Sequence, residues 1–229
     1  MYNIGGFYFQ SKIFSRSCIM HKSMVDKYQG KNIGIMGGTF DPIHIGHLIM
    51  GEIVGQEFDL HEVIYIPVGD PPHKSGESIA SAAHRYKMMK KAIADNPRFN
   101  LSDIEINRTG KTYTIDTMEQ LHKVYEGANF YFIIGADSLL QIRTWKRVDE
   151  LFRKCSFIVY RRWGSSDGEL IEEAKNLRRI YSANIFFASG PLIGVSSTYI
   201  RESLKEGQTV KYLVPDTVLE YIDQNRIYD

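Results

Sequence analysis

Short apolar strands alternate with helices along most of this chain, and that alternation leaves few folds open. Asn32-Ile33-Gly34-Ile35-Met36 reads as a short buried strand, and Asn129-Phe130-Tyr131-Phe132-Ile133-Ile134-Gly135 is the clearest buried strand of all. Residues 62–68, 99–106, 156–160 and 185–187 read as further strands. Apolar residues at helical spacing predict helices beginning near Leu48 and over residues 81–95, 114–125, 145–153, 169–179, 196–205 and 216–224. Strands alternating with helical crossovers form parallel sheets covered on both sides. The pattern therefore predicts an α/β fold, a doubly wound, Rossmann-like parallel sheet with helices on both faces. A length of 229 residues fits one such domain.

In such sheets ligands bind at the carboxyl ends of the strands. The first strand-to-helix junction reads Gly37-Gly38-Thr39-Phe40-Asp41-Pro42-Ile43-His44-Ile45-Gly46-His47. Its glycines let backbone N–H groups approach an anion, and the helix N-terminus favours negative charge. His44 and His47, at i and i+3, can share one face of the first helical turn and point at one phosphate. The G-x-G-x-x-G spacing of a dinucleotide site is absent, and no Lys-Ser/Thr follows the glycines as in a P-loop. Gly110-Lys111-Thr112 is a decoy, because Glu105 stands where a P-loop needs its first glycine. The two histidines do not read as a zinc pair, since no glutamate lies between them and no third ligand is placed by sequence. No protein metal site is expected.

This junction resembles the T/H-x-G-H signature of the nucleotidyltransferase superfamily, in which two histidines hold the α-phosphate of a nucleoside triphosphate. A second segment, Val195-Ser196-Ser197-Thr198-Tyr199-Ile200-Arg201, sets three hydroxyl residues where a helix should start. One serine there is ordinarily an N-cap. Three, with Arg201 a turn further on, gather hydroxyls, free N–H groups and a guanidinium on one anion. The segment resembles the superfamily's second signature, which binds the β- and γ-phosphates of ATP. Between the two lie Pro71-Pro72-His73-Lys74, Lys111-Thr112-Tyr113-Thr114-Ile115-Asp116-Thr117, Ile134-Gly135-Ala136-Asp137-Ser138 and Trp145. That order resembles the bacterial nicotinate-nucleotide adenylyltransferase family, from about Lys31 onward.

The resemblance implies adenylyl transfer from ATP to nicotinate mononucleotide. His44, His47 and Arg201 would be catalytic. Gly37, Gly38, Thr39 and Phe40 would line both substrates with backbone groups, with Ser196, Ser197 and Thr198 on the ATP phosphates and Asp137 toward adenosine. Trp145 would stack on the pyridine ring, although alone it reads as packing. Tyr113 and Thr114 would meet the ring's carboxylate, and Lys74 and, more weakly, Arg161 a substrate phosphate or the nucleotide. Magnesium would be held mainly by the ATP phosphates. Two departures stand out: Val195 where isoleucine is common, and Arg161-Arg162-Trp163 where arginine-proline is usual. A sister adenylyltransferase acting on nicotinamide mononucleotide or phosphopantetheine is the nearest alternative, and a non-catalytic nucleotide-binding module the next.

The bulk composition agrees. Charged residues are 24% and hydrophobic residues 43%, ordinary for a soluble protein with a full core. A net charge of +1 gives no reason to expect a nucleic-acid partner or a membrane surface, so phosphate must meet a local basic cluster. Cys18 and Cys155 are too few for a disulfide framework, and a cytoplasmic setting is expected. No apolar run is long enough to span a bilayer. A homo-oligomer is left open. Residues 1–23 carry Lys12, Arg16 and Lys22 with no acidic residue. That composition suits a transit peptide, but a start codon set too early, with Met24 as the true start, is the favoured reading. Residues 1–30 are expected to be an N-terminal extension outside the catalytic domain, residues 31–229.

Overall fold

Six parallel strands form one sheet in the order β3-β2-β1-β4-β5-β6. They are β1 (Asn32–Gly38), β2 (Glu62–Pro67), β3 (Phe99–Leu101), β4 (Asn129–Gly135), β5 (Ser156–Tyr160) and β6 (Ile185–Ala188). The computed structural model describes residues 27–69, 79–161, 167–191 and 193–228. Its helices are α1 (Ile45–Glu57), α2 (Ala82–Ala92), α3 (Thr114–Val124), α4 (Ala136–Gln141), α5 (Val148–Lys154), α6 (Asp167–Tyr181), α7 (Ser197–Lys205) and α8 (Asp216–Asn225). This is the doubly wound, Rossmann-like α/β fold that the alternation predicts, with the strand order reversing between β1 and β4. Expectations about residues 1–26, the loop holding Lys74, and Arg162 and Trp163 lie outside the described residues. Among the described residues no helix is long and apolar enough to cross a membrane.

Strand alternation sorts the core into two layers. Ile33, Ile35, Phe130, Phe132, Ile134 and Phe157 face the layer made with α3, α4, α5 and α6. Met36, Val63, Tyr65, Ile133, Ile158 and Tyr160 face the layer made with α1, α2, α7 and α8. The last two helices thus return across the sheet to lie with the first two. The inner face of α1 is rich in glycine, and the reason is close approach. A Cβ on Gly51 would sit 2.2 Å from the Tyr65 hydroxyl, which donates to the carbonyl of His47 at 3.2 Å.

Two expectations need correction. The strand over residues 99–106 stops at Leu101, because residues 103–108 turn back on themselves, with Asn107 N–H on Asp103 O at 3.0 Å. Trp145 does not open a helix. It follows a 3₁₀ turn at Ile142–Thr144 in extended backbone, and α5 begins only at Val148. The helix expected over residues 169–179 is found as α6, which buries Leu170, Ala174 and Leu177 along one stripe. The short helix α4 had no periodicity long enough to be read.

Candidate active site

The chain leaves β1 at Gly38 and enters α1 with His44 as N-cap in extended backbone. Phe40 adopts a left-handed φ of 51°, costly for a residue with a Cβ, so the surroundings must fix it. Its ring lies edge-on to His47, centroids 4.9 Å apart. His44 and His47 stack at 3.7 Å with 25° between their planes. The backbone N–H of His44 donates to His47 Nδ1 at 3.3 Å. With Nδ1 accepting, the neutral ring carries its proton on Nε2, which makes that atom a donor. His44 is buried and His47 half-buried, so the second ring is the more accessible.

The loop is braced from below by a residue with no motif to announce it. Arg85 of α2 is only 1% exposed. Its Nε donates to Ala80 O at 3.0 Å, Nη1 to Thr39 O at 2.8 Å, and Nη2 to Val68 O at 2.7 Å and Gly69 O at 3.1 Å. Burial lowers its basicity from the ordinary arginine value. One guanidinium thereby joins the tip of β1, the end of β2 and the entry to α2.

The segment 195–201 meets the first strand-to-helix junction directly. Ser196 caps α7, its Oγ accepting the Tyr199 N–H at 3.2 Å. Ser197 Oγ donates to Pro42 O at 2.8 Å, and Arg201 Nη1 donates to Asp41 O at 2.8 Å. The N–H of Ile45 reaches Leu213 O at 3.0 Å. Thr198 stands exposed beside them. His44, His47, Ser196, Ser197, Thr198 and Arg201 therefore belong to one region, in which two helix N-termini adjoin and favour an anion.

The other expected side chains lie across the sheet's tip. Gly37 faces the opposite layer from Gly38, and a Cβ there would come 3.2 Å from Phe132 Cζ. The Phe132 ring is edge-on to Trp145, 5.9 Å away at 81°. Trp145 and Tyr113 are both half-buried against this core layer, so packing accounts for part of each ring and leaves part exposed. Tyr113 caps α3 through its backbone, Thr114 is that helix's first residue, and Lys146 Nζ sits 4.1 Å over the Tyr113 ring. Beneath them Thr117 Oγ1 donates to the buried Glu105 at 2.7 Å and accepts from Arg108 at 3.0 Å. Burial raises the Glu105 carboxyl above the usual carboxylate range. Asp137, exposed in the first turn of α4, and Arg161, just past β5, both follow carboxyl ends of strands. Cys155 is no nucleophile, because burial pushes its thiol well up.

Residues 35–203 match the cytidylyltransferase-like family. A Thermoanaerobacter protein described as "Probable nicotinate-nucleotide adenylyltransferase" is 45% identical over 197 residues, covering 86% of this chain and 93% of that one. A Desulfitobacterium hafniense protein of the same description is 43% identical, covering 86% and 96%. In three dimensions the fold matches Plasmodium falciparum nicotinic acid mononucleotide adenylyltransferase complexed with NaAD, with a TM-score of 0.71 at 22% identity, covering 87% of this chain and 98% of that one. The family match and these relatives mean that the chain belongs to the cytidylyltransferase-like family and, within it, to the nicotinate-nucleotide adenylyltransferases.

Proposed function

We propose that this chain transfers the adenylyl group of ATP to nicotinate mononucleotide, releasing pyrophosphate and forming deamido-NAD. One observation carries the reading: both phosphate motifs converge on the first loop, while half-buried aromatic rings lie across the same sheet tip. An elongated molecule with phosphates in its middle and a flat ring at its end suits that arrangement.

The chemistry follows from these parts. The phosphate of the mononucleotide is ionised at neutral pH, so no strong base is needed. One of its oxygens bonds to the α-phosphorus of ATP, the α–β bridging P–O bond breaks, and pyrophosphate leaves with those electrons. The protein supplies in-line positioning and donors for the charge on the transferring group. His47 Nε2–H donates to an α-phosphate oxygen, with His44 stacked behind it. Arg201 and the α7 N-terminus with Ser196, Ser197 and Thr198 stabilise the departing pyrophosphate. Backbone groups of Gly37, Gly38, Thr39 and Phe40 line the path of the nucleotide, and Asp137 faces adenosine. Tyr113 and Thr114 take the ring carboxylate, with Lys74 and Arg161 on a phosphate or the nucleotide. Among the described residues no group of three or more His, Cys, Asp or Glu side chains is placed to hold a metal ion. Magnesium would enter on the phosphates of ATP, and no step above runs through it. Residues 31–229 act as the catalytic domain. The sparse cysteines fit a cytoplasmic enzyme.

The direct test is pyrophosphate release from purified protein. Release is expected only when ATP and nicotinate mononucleotide are both present, and its absence from that pair would refute the assignment. Trp145 gives a second test. Stacking a base-sized ring on an aromatic side chain is worth about 1–3 kcal/mol, so Trp145→Ala should raise KM for nicotinate mononucleotide roughly tenfold to a hundredfold. ATP binding should hardly change. A loss of ATP affinity instead would move Trp145 to the adenosine pocket or the core.

A further inference from the structure

Trp145 hangs between two arginines, each tied to a different helix. It lies in extended backbone between the 3₁₀ turn and α5. Upstream, its own N–H donates to Ile142 O at 3.0 Å, and Arg143 holds Glu173 of α6 through two N–H groups, at 2.7 and 3.2 Å. Downstream, Arg147 reaches the other way. Its Nη2 donates to Glu119 Oε1 of α3 at 2.8 Å, its Nε donates to Glu150 Oε1 of α5 at 2.8 Å, and its Nη1 lies 3.8 Å from Asp116 Oδ1 of α3. Arg147 does this from left-handed backbone, with φ 52° and ψ 45°. A residue with a Cβ adopts such angles where something holds it, and here three carboxylates converge on one guanidinium.

The helix at the far end of this strap is the one whose start carries Tyr113 and Thr114. Trp145 and Tyr113 are both half-buried against the same core layer. The gap between the indole and the start of α3 is therefore the slot that a flat ring must enter, and Arg147 fastens one wall to the other. We propose that Arg147 is a positioning residue for Trp145. Bound to Glu119, it holds the indole at the spacing from α3 that lets the pyridine ring stack. The proposal rests on Trp145 being the stacking partner of nicotinate mononucleotide, as argued above. Exposure limits the size of the effect. The Arg147 and Glu119 side chains are 38% and 35% exposed, so water screens their pair, and its loss should cost less than loss of the indole itself.

Arg147→Gly removes the guanidinium and suits the left-handed backbone, so its effect is not one of backbone misfit. It should raise KM for nicotinate mononucleotide about fivefold, the upper end for an exposed ion pair, and leave kcat and KM for ATP unchanged. Glu119→Ala cuts the strap at its α3 end and should raise the same KM. Arg147→Gly/Glu119→Ala should be no worse than Arg147→Gly alone, because both changes delete one interaction. In a Trp145→Ala background Arg147→Gly should raise KM no further. A purely structural role predicts a lower melting temperature with KM unchanged. The proposal alone is overturned by a wild-type KM in Arg147→Gly or in Glu119→Ala, or by single effects that add in the double variant. It is also overturned if Arg147→Gly raises KM by the same factor without the indole, which would place its action on α3. A wild-type KM in Trp145→Ala overturns it together with the stacking role of Trp145.

Discussion

Replacing His47 with alanine is expected to cut turnover by roughly a hundredfold or more while the protein stays folded. The estimate is that for removing one donor aimed at charge developing in a transition state. His47 earns the role through its tautomer: Nδ1 is engaged by the N–H of His44, which leaves the ring proton on Nε2. The fold should tolerate the change, because His47 is half-buried and sits on the first turn of α1 rather than in either core layer. Steady-state turnover and a thermal melt on the same preparation decide the matter. Turnover within a few-fold of wild type would end the proposed mechanism. The buried His44 makes a poorer probe, since its loss would open a hole under the loop.

The second large effect concerns the acid at the far end of the substrate. Efficiency, as kcat/KM, should favour nicotinate over nicotinamide mononucleotide by at least about a hundredfold. Tyr113 and Thr114 open α3, whose N-terminal N–H groups favour an anion, and the Lys146 ammonium lies over the Tyr113 ring. A carboxylate would accept from donors at that helix start, whereas an amide would set its NH₂ against them. The nearby carboxylate Asp116 does not undo this, because Lys146 at 3.2 Å and Arg147 at 3.8 Å pair with it. Equal efficiency with the two mononucleotides would remove Tyr113 and Thr114 from the carboxylate site.

Residues that carry a local signature were legible, and residues that act through distant backbone were not. The runs at residues 129–135 and 156–160 are strands with those bounds, because an apolar run of that length has few other uses. The Gly-Gly junction and the Ser-Ser-Thr segment announce helix starts through cap chemistry, and the structure joins them. Arg85 gave no sign. On an amphipathic helix a cation reads as solvent-facing, and the partners that bury this one are carbonyls at 39, 68, 69 and 80, which have no sequence signature. Tyr228 is invisible for the same reason. Its hydroxyl reaches Asp41 only because a turn after α8 points it there. Residues 99–106 misled because their alternation outlasts the strand at the sheet's edge, where only one neighbour is left to hold it.

The late return of α7 and α8 to the first loop also sets an order of events during synthesis. All six strands lie before residue 189, yet Ser197, Arg201, Leu213 and Tyr228, which hold the loop bearing both histidines, come after it. A growing polypeptide therefore owns every strand of the sheet before it owns a working site. Products cut short beyond β6 should be silent rather than partly active.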